Sequence, residues 1–144
     1  MPPLTFPTRK TAAMTWVEVL AAFLVAHLVG DYLLQTDWQA RHKAGGLGGD
    51  RTALKALAAH VATYTLAFVP ACVWIGGERG AGWAVLAGAL VALPHLVIDD
   101  ARVVRLYLRE VKGAEGFEPG LAAAVDQAFH VVSLCVVALL VGAA

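Results

Sequence analysis

Apolar positions along this chain fall into four long runs, over about 16–35, 52–75, 83–101 and 121–142, and most of the charge gathers between them. The runs do not alternate with polar residues as a half-buried strand would, so they predict helices. At 1.5 Å per residue each is long enough to cross a hydrocarbon core about 30 Å thick. The connection GGERGAG at 76–82 is short, which favours antiparallel neighbours. The expected fold class is an all-α membrane protein, with four transmembrane helices in an antiparallel bundle and one integral membrane domain over 1–144.

The segments between the runs refine this picture. Residues 36–51 are polar and carry GGLGG at 45–49, so they predict a loop, with Trp38 at the headgroup level. Pro70 falls near the far end of the second run, and Pro94 predicts a bend one residue before His95. After the third run, Arg102, Arg105, Arg109 and Lys112 recur at three- and four-residue steps opposite Val103, Val104, Leu106, Leu108 and Val111. That pattern predicts an amphipathic cytoplasmic extension lying at the interface, its basic side a contact for anionic lipid or for substrate. GAEGFEPG at 113–120 ends it. The prolines of residues 1–14 suit an irregular lead-in, and the first run is too long for the apolar part of a secretory signal.

Counting Lys and Arg by side orients the bundle. Arg41, Lys43, Arg51, Lys55, Arg102, Arg105, Arg109 and Lys112 fall on one side, against Arg9, Lys10 and Arg79 on the other. The richer side is expected in the cytoplasm and both termini outside, in a multi-pass protein of a bacterial inner membrane.

A hydrophobic fraction of 59% with only 15% charged residues agrees with a membrane protein. Zero formal net charge and the lack of a basic arm argue against nucleic acid as a partner. Membrane lipids, and a second copy of the chain through small residues such as Gly82, Ala84, Ala87, Gly88 and Ala89, are the expected partners. Cys72 and Cys135 both fall in apolar runs and offer neither a disulfide framework nor a CxxC metal motif.

Polar residues inside the apolar runs carry the candidate chemistry. His27, Asp31 and Gln35 follow one another at intervals of four, His95 and Asp99 repeat the interval, Asp126 and His130 repeat it again, and His60 stands alone. Residues four apart share one helix face, and ionisable groups at membrane depth are costly enough to point to function. Antiparallel threading puts all seven His and Asp residues in the cytoplasmic half, about 5 to 15 Å below the boundary. Four imidazoles and three carboxylates converging from four helices resemble the metal sites of bundle cores. The expected ligands are His27, Asp31, His60, His95, Asp99, Asp126 and His130, with Gln35 and Gln127 beside them at the mouth. Such donors suit a transition metal, zinc foremost, with manganese or iron as alternatives, as one ion or two. Asp37 and Asp100 read as solvated helix ends and His42 as a solvent histidine.

The stretches AHLVGDYLLQTDW, HLVID and DQAFH resemble an uncharacterised family of small bacterial and phage inner-membrane proteins. Its pattern is a His-x-x-Gly-Asp opening followed by Gln-x-Asp-Trp, a central histidine, a His-x-x-x-Asp and a closing Asp-Gln-x-x-His. The resemblance implies that His27, Asp31, Gln35, His60, His95, Asp99, Asp126 and His130 belong to one site. The layout is also similar to predicted membrane-bound metal-dependent hydrolases.

The leading expectation is a metal-dependent hydrolase of a lipid or phosphate ester, with Asp31 or Asp126 as the catalytic carboxylate that accepts a proton. A transporter or channel for a metal ion or proton, and a structural metal site in a membrane assembly factor, are the alternatives.

Overall fold

The computed structural model describes residues 14–114 and 119–143, so all but Met14 of the expected lead-in over 1–14, and the middle of the 113–120 break, lie outside the described residues. Helix α1 (Trp16–Leu28) starts at a reciprocal cap, in which Thr15 Oγ1 accepts from the Glu18 N–H at 3.4 Å and Glu18 Oε2 accepts from the Thr15 N–H at 2.8 Å. It passes directly into a π-helical segment, Val29–Leu34. Then come α2 (Asp37–His42), a single 3₁₀ turn (Gly46–Gly48), α3 (Arg51–Ala67), α4 (Val69–Arg79), α5 (Ala81–Asp99), α6 (Arg102–Glu110) and α7 (Pro119–Ala143). The chain is all-helical, with no strand among the described residues.

Three helices are long and apolar enough to cross a membrane: Trp16–Leu34, Ala81–Asp99 and Gly120–Ala143. The second apolar run is not one straight helix. It divides into α3 and α4, bent by 50°, and makes a further span only if the pair is counted together. Pro70, in the first turn of α4, has no N–H to give a helix continuing from α3, and its ring would crowd the carbonyl four residues back. The turn before it is loosened too. Thr65 Oγ1 donates to the Val61 carbonyl at 2.7 Å and Thr63 Oγ1 to the His60 carbonyl at 2.9 Å, bonds of a kind that bend helices. Pro94, where a bend was expected, lies within α5, which continues through it.

The segment expected as an open loop over 36–51 is largely structured. Thr36 and Gln39 form a second reciprocal cap that starts α2, and Asp50 caps α3 by accepting from the Thr52 and Ala53 N–H groups at 2.6 and 3.0 Å. The Ser/Thr-x-x-Glu/Gln signature of the α2 cap is present in Thr36-Asp-Trp-Gln39. α6 forms where the amphipathic pattern put it, burying Val104 and Leu108 against Ile98 while Arg102, Arg105 and Arg109 stay exposed.

α7 lies between α1 and α5, α5 also packs on α3 and α4, and α3 returns against the π-helical segment. Each helix buries one stripe at helical spacing: Val19, Phe23 and His27 on α1, Leu57, His60 and Tyr64 on α3, Val91, His95 and Asp99 on α5, and His130, Leu134 and Val141 on α7. Large apolar side chains also cover the exposed side, while the ionisable residues of the stripes are buried. Leu33 and Val85 are 75% and 74% exposed while His60 is wholly buried, a distribution compatible with helices that face lipid.

Candidate metal centre

The polar ends of those four stripes meet. On α3 and α5, His60 Nε2 and His95 Nε2 stand 3.0 Å apart. Asp31 Oδ1 lies 3.3 Å from the first and 3.7 Å from the second, and Asp99 Oδ2 lies 2.8 and 2.9 Å from the same two nitrogens. All four side chains are 6% exposed or less. Asp31 Oδ1 and Asp99 Oδ2 nevertheless lack a well-aligned hydrogen bond. The two imidazoles meet hydrogen-bond geometry with each other, one ring nitrogen donating and the other accepting, whereas the short carboxylate contacts lack that alignment, as donors aimed at a common third atom would. Two donors bound tetrahedrally to one ion at about 2.0–2.2 Å stand roughly 3.3–3.6 Å apart, close to the Asp31 contacts and somewhat longer than the Asp99 and His60–His95 ones. Two groups of donor atoms lie within 4.8 Å of one another, Asp31 with His60 and His95, and His95 with Asp99 and His130. His95 belongs to both.

The remaining residues surround this core. Asp31 turns its second oxygen to His27 Nδ1 at 3.5 Å, and the His27 ring lies between the Tyr64 hydroxyl at 3.1 Å and Gln127 Oε1 at 3.0 Å. Asp99 turns its second oxygen to Lys43 Nζ at 3.0 Å and to His130 Nε2 at 3.6 Å. His130 Nδ1 faces the Asp126 carbonyl at 2.9 Å and its carboxylate at 3.5 Å. Asp126 is the most open of the three carboxylates, its side chain 29% exposed. With its amide turned to match its neighbours, Gln35 accepts from Lys43 Nζ at 2.8 Å and donates to the Asp31 carbonyl at 3.2 Å. Each expected ligand thus lies in one connected network, with His27 and Asp126 at its edge rather than on the imidazole pair.

Local structure explains the aim of Asp31. It belongs to the π-helical segment, a wider turn that often marks functional sites. Gly30 beside it lets α3 approach closely, since a Cβ there would stand 2.6 Å from Tyr64 Cδ2. Tyr64 in turn stacks flat on His95, with ring centroids 3.3 Å apart.

Three features differ from the sequence expectations. Asp100 is not a solvated helix end: it is 3% exposed, its carbonyl accepts from the Gly45 N–H at 2.9 Å, and its carboxylate accepts from the Leu47 N–H at 2.8 Å and pairs with Arg102 at 3.0 Å. Tyr64 and Lys43 join the network without having been singled out. Tyr64 follows His60 at the same four-residue step, a signal the sequence does carry. Lys43 carries none, because it enters from the C-terminal cap of α2, far from the other network residues in helix register. Of the basic side chains over 102–112, Arg102 pairs with Asp100, Arg109 with Glu110 at 2.7 Å, and Lys112 lies over the Tyr107 ring at 6.0 Å. Asp37 and His42 are exposed, as expected.

No curated protein and no solved structure matches the chain. One family model does, over residues 19–144, a range that includes every side chain of the network. The chain belongs to the family described as "Protein of unknown function (DUF3307)".

Proposed function

We propose that this is a four-span antiparallel membrane protein, a single domain over 1–144 in a bacterial inner membrane with both termini outside, that binds a divalent transition metal and hydrolyses a lipid or phosphate ester. The reading rests on one observation: two imidazole nitrogens 3.0 Å apart, flanked by buried carboxylate oxygens that lack aligned hydrogen bonds. Buried carboxylates are costly unless they are compensated, and Asp31 and Asp99 have only Lys43 as a permanently charged neighbour among the described residues. A dication brings Asp31 and Asp99 to neutrality.

His60 and His95 would hold it, with Asp31 and Asp99 as the nearest carboxylates and His130 beside Asp99. Mixed imidazole and carboxylate donors favour zinc, with manganese or iron next. Such an ion supplies hydroxide near neutral pH and polarises a phosphoryl or carbonyl oxygen. Asp126, open to water and in contact with His130, is then the carboxylate best placed to pass a proton outward; Asp31, aimed at the imidazole pair, is the alternative. The exposed basic face of α6 suits anionic headgroups beside the mouth.

A conduit has less support. Beyond Tyr64 the buried stripes are apolar, with Phe23, Phe68, Ile75, Val91, Leu134 and Val141 filling the bundle. Elemental analysis of detergent-purified protein tests the metal, and turnover of phosphate esters against metal flux in liposomes tests its use. About one or two equivalents of metal with turnover are expected. Flux without turnover would replace hydrolysis by transport, and a metal-free, inactive protein would end the reading.

A further inference from the structure

Lys43 differs from the other Lys and Arg side chains among the described residues. Among the described residues it is the one Lys or Arg paired with a carboxylate of the network, Asp99, at 3.0 Å. It is brought there by construction. The turn after α2 is held to the end of α5 by both the carbonyl and the carboxylate of buried Asp100, through the Gly45 and Leu47 N–H groups. Gly46 is pressed onto α3 so closely that a Cβ would meet the Ala53 carbonyl oxygen at 2.8 Å. Gly45 and Gly49 turn the chain with φ of +79° and +97°, a conformation that favours glycine.

The ammonium has three N–H groups. One faces Asp99 Oδ1 and one Gln35 Oε1, and the side chain as a whole is 17% exposed, so part of it lies at the surface. It contacts the Asp99 oxygen turned away from the imidazole pair, which puts it beside the proposed ion site rather than in it. With a dication balancing Asp31 and Asp99, the charge of Lys43 offsets only the partly solvated Asp126, which pairs with His130 rather than with Lys43. A cation beside a metal site, with a third donor and a side chain that is partly at the surface, is a receptor for an anionic oxygen.

We propose that Lys43 is a substrate-binding residue of this site and holds a phosphoryl oxygen of the substrate beside the metal. The inference rests on the metal reading above. Phosphoryl chemistry reaches the site from a soluble phosphate or from a lipid headgroup, and the test separates these sources.

Zinc-loaded, detergent-purified protein is titrated with inorganic phosphate by calorimetry, and the same protein in phosphatidylcholine nanodiscs is compared with nanodiscs containing phosphatidate. Lys43→Gln is expected to keep its zinc and to bind phosphate roughly tenfold more weakly or worse, with Lys43→Arg in between. In the native chain, which needs no variant to fold, phosphate is expected to slow acetylation of Lys43 several-fold and to leave Lys55 and Lys112 unchanged. Protection by phosphatidate alone would identify a headgroup, and protection by free phosphate a soluble substrate. Equal phosphate affinity in Lys43→Gln, or labelling of Lys43 indifferent to both ligands in zinc-loaded protein, would overturn the inference and leave the metal site standing. A native protein that retains no zinc would overturn both.

Discussion

Replacing His95 by glutamine is the sharpest perturbation of the proposed centre. His95 Nε2 is common to both donor groups, 3.0 Å from His60 Nε2 and 2.9 Å from Asp99 Oδ2, so no arrangement of one ion or two leaves it aside. Glutamine keeps much of the volume and removes the imidazole. Partners that only orient a ligand cost about 10- to 100-fold in metal affinity when removed. Loss of a ligand shared by both groups is expected to exceed the upper end of that range, which is about 2.7 kcal/mol or more. Asp126→Asn is the internal control. Asp126 acts on the cluster through His130, 3.5 Å away, and is partly solvated, so its cost is expected within the orienting range. Metal content by mass spectrometry, followed by competition with a chelator of known affinity, gives both numbers. Circular dichroism melts show whether either variant is unfolded; the buried polar atoms left by His95→Gln are expected to cost about 1–3 kcal/mol of stability. Full metal retention in His95→Gln, or an Asp126→Asn loss as large as that of His95→Gln, would refute the assignment.

Other expectations follow from the same geometry. Metal occupancy is expected to rise with pH through the acid range, because imidazole and carboxylate must shed protons before they ligate; equilibrium dialysis giving equal occupancy at about pH 5 and pH 8 would contradict a His/Asp site. Gly30→Ala would push a methyl to within 2.6 Å of Tyr64 Cδ2 and 3.3 Å of Tyr64 Cα, and Tyr64 cannot yield without disturbing both His27 and His95. A loss of about 1–3 kcal/mol in thermal or denaturant stability, with reduced metal content, is expected, and a neutral variant would show that the close approach is not required. Asp100→Ala removes the acceptor of the Leu47 N–H and should raise protease cleavage within 43–50 while metal content stays near native, as a digest resolved by mass spectrometry would show. Ala101 sits at φ +63° between α5 and α6. Ala101→Gly is accordingly expected to stabilise, by at most about 1 kcal/mol, and a destabilised variant would show that the Ala101 methyl contributes packing that outweighs the strain.

Much of the site can be read from local spacing, since helix geometry alone determines which residues share a face. The pairs His27 with Asp31, His95 with Asp99 and Asp126 with His130 needed only the four-residue interval, and the chain realises all three. Long apolar runs likewise determined the all-helical class, because only the solvent around the helices had to be inferred. Tertiary structure decided whatever depended on helix rotation and on loop path. The meeting of His60 with His95, the stacking of Tyr64, the inward turn of Lys43 and the burial of Asp100 join residues far apart in the chain, and no periodicity specifies those distances. The bend at Pro70 was similarly hidden, because Pro70 and Pro94 look alike in sequence and only the packing around each decides which one interrupts its helix. Spacing along one helix is set by its own hydrogen bonds, whereas separation between helices is set by the packing of many side chains at once.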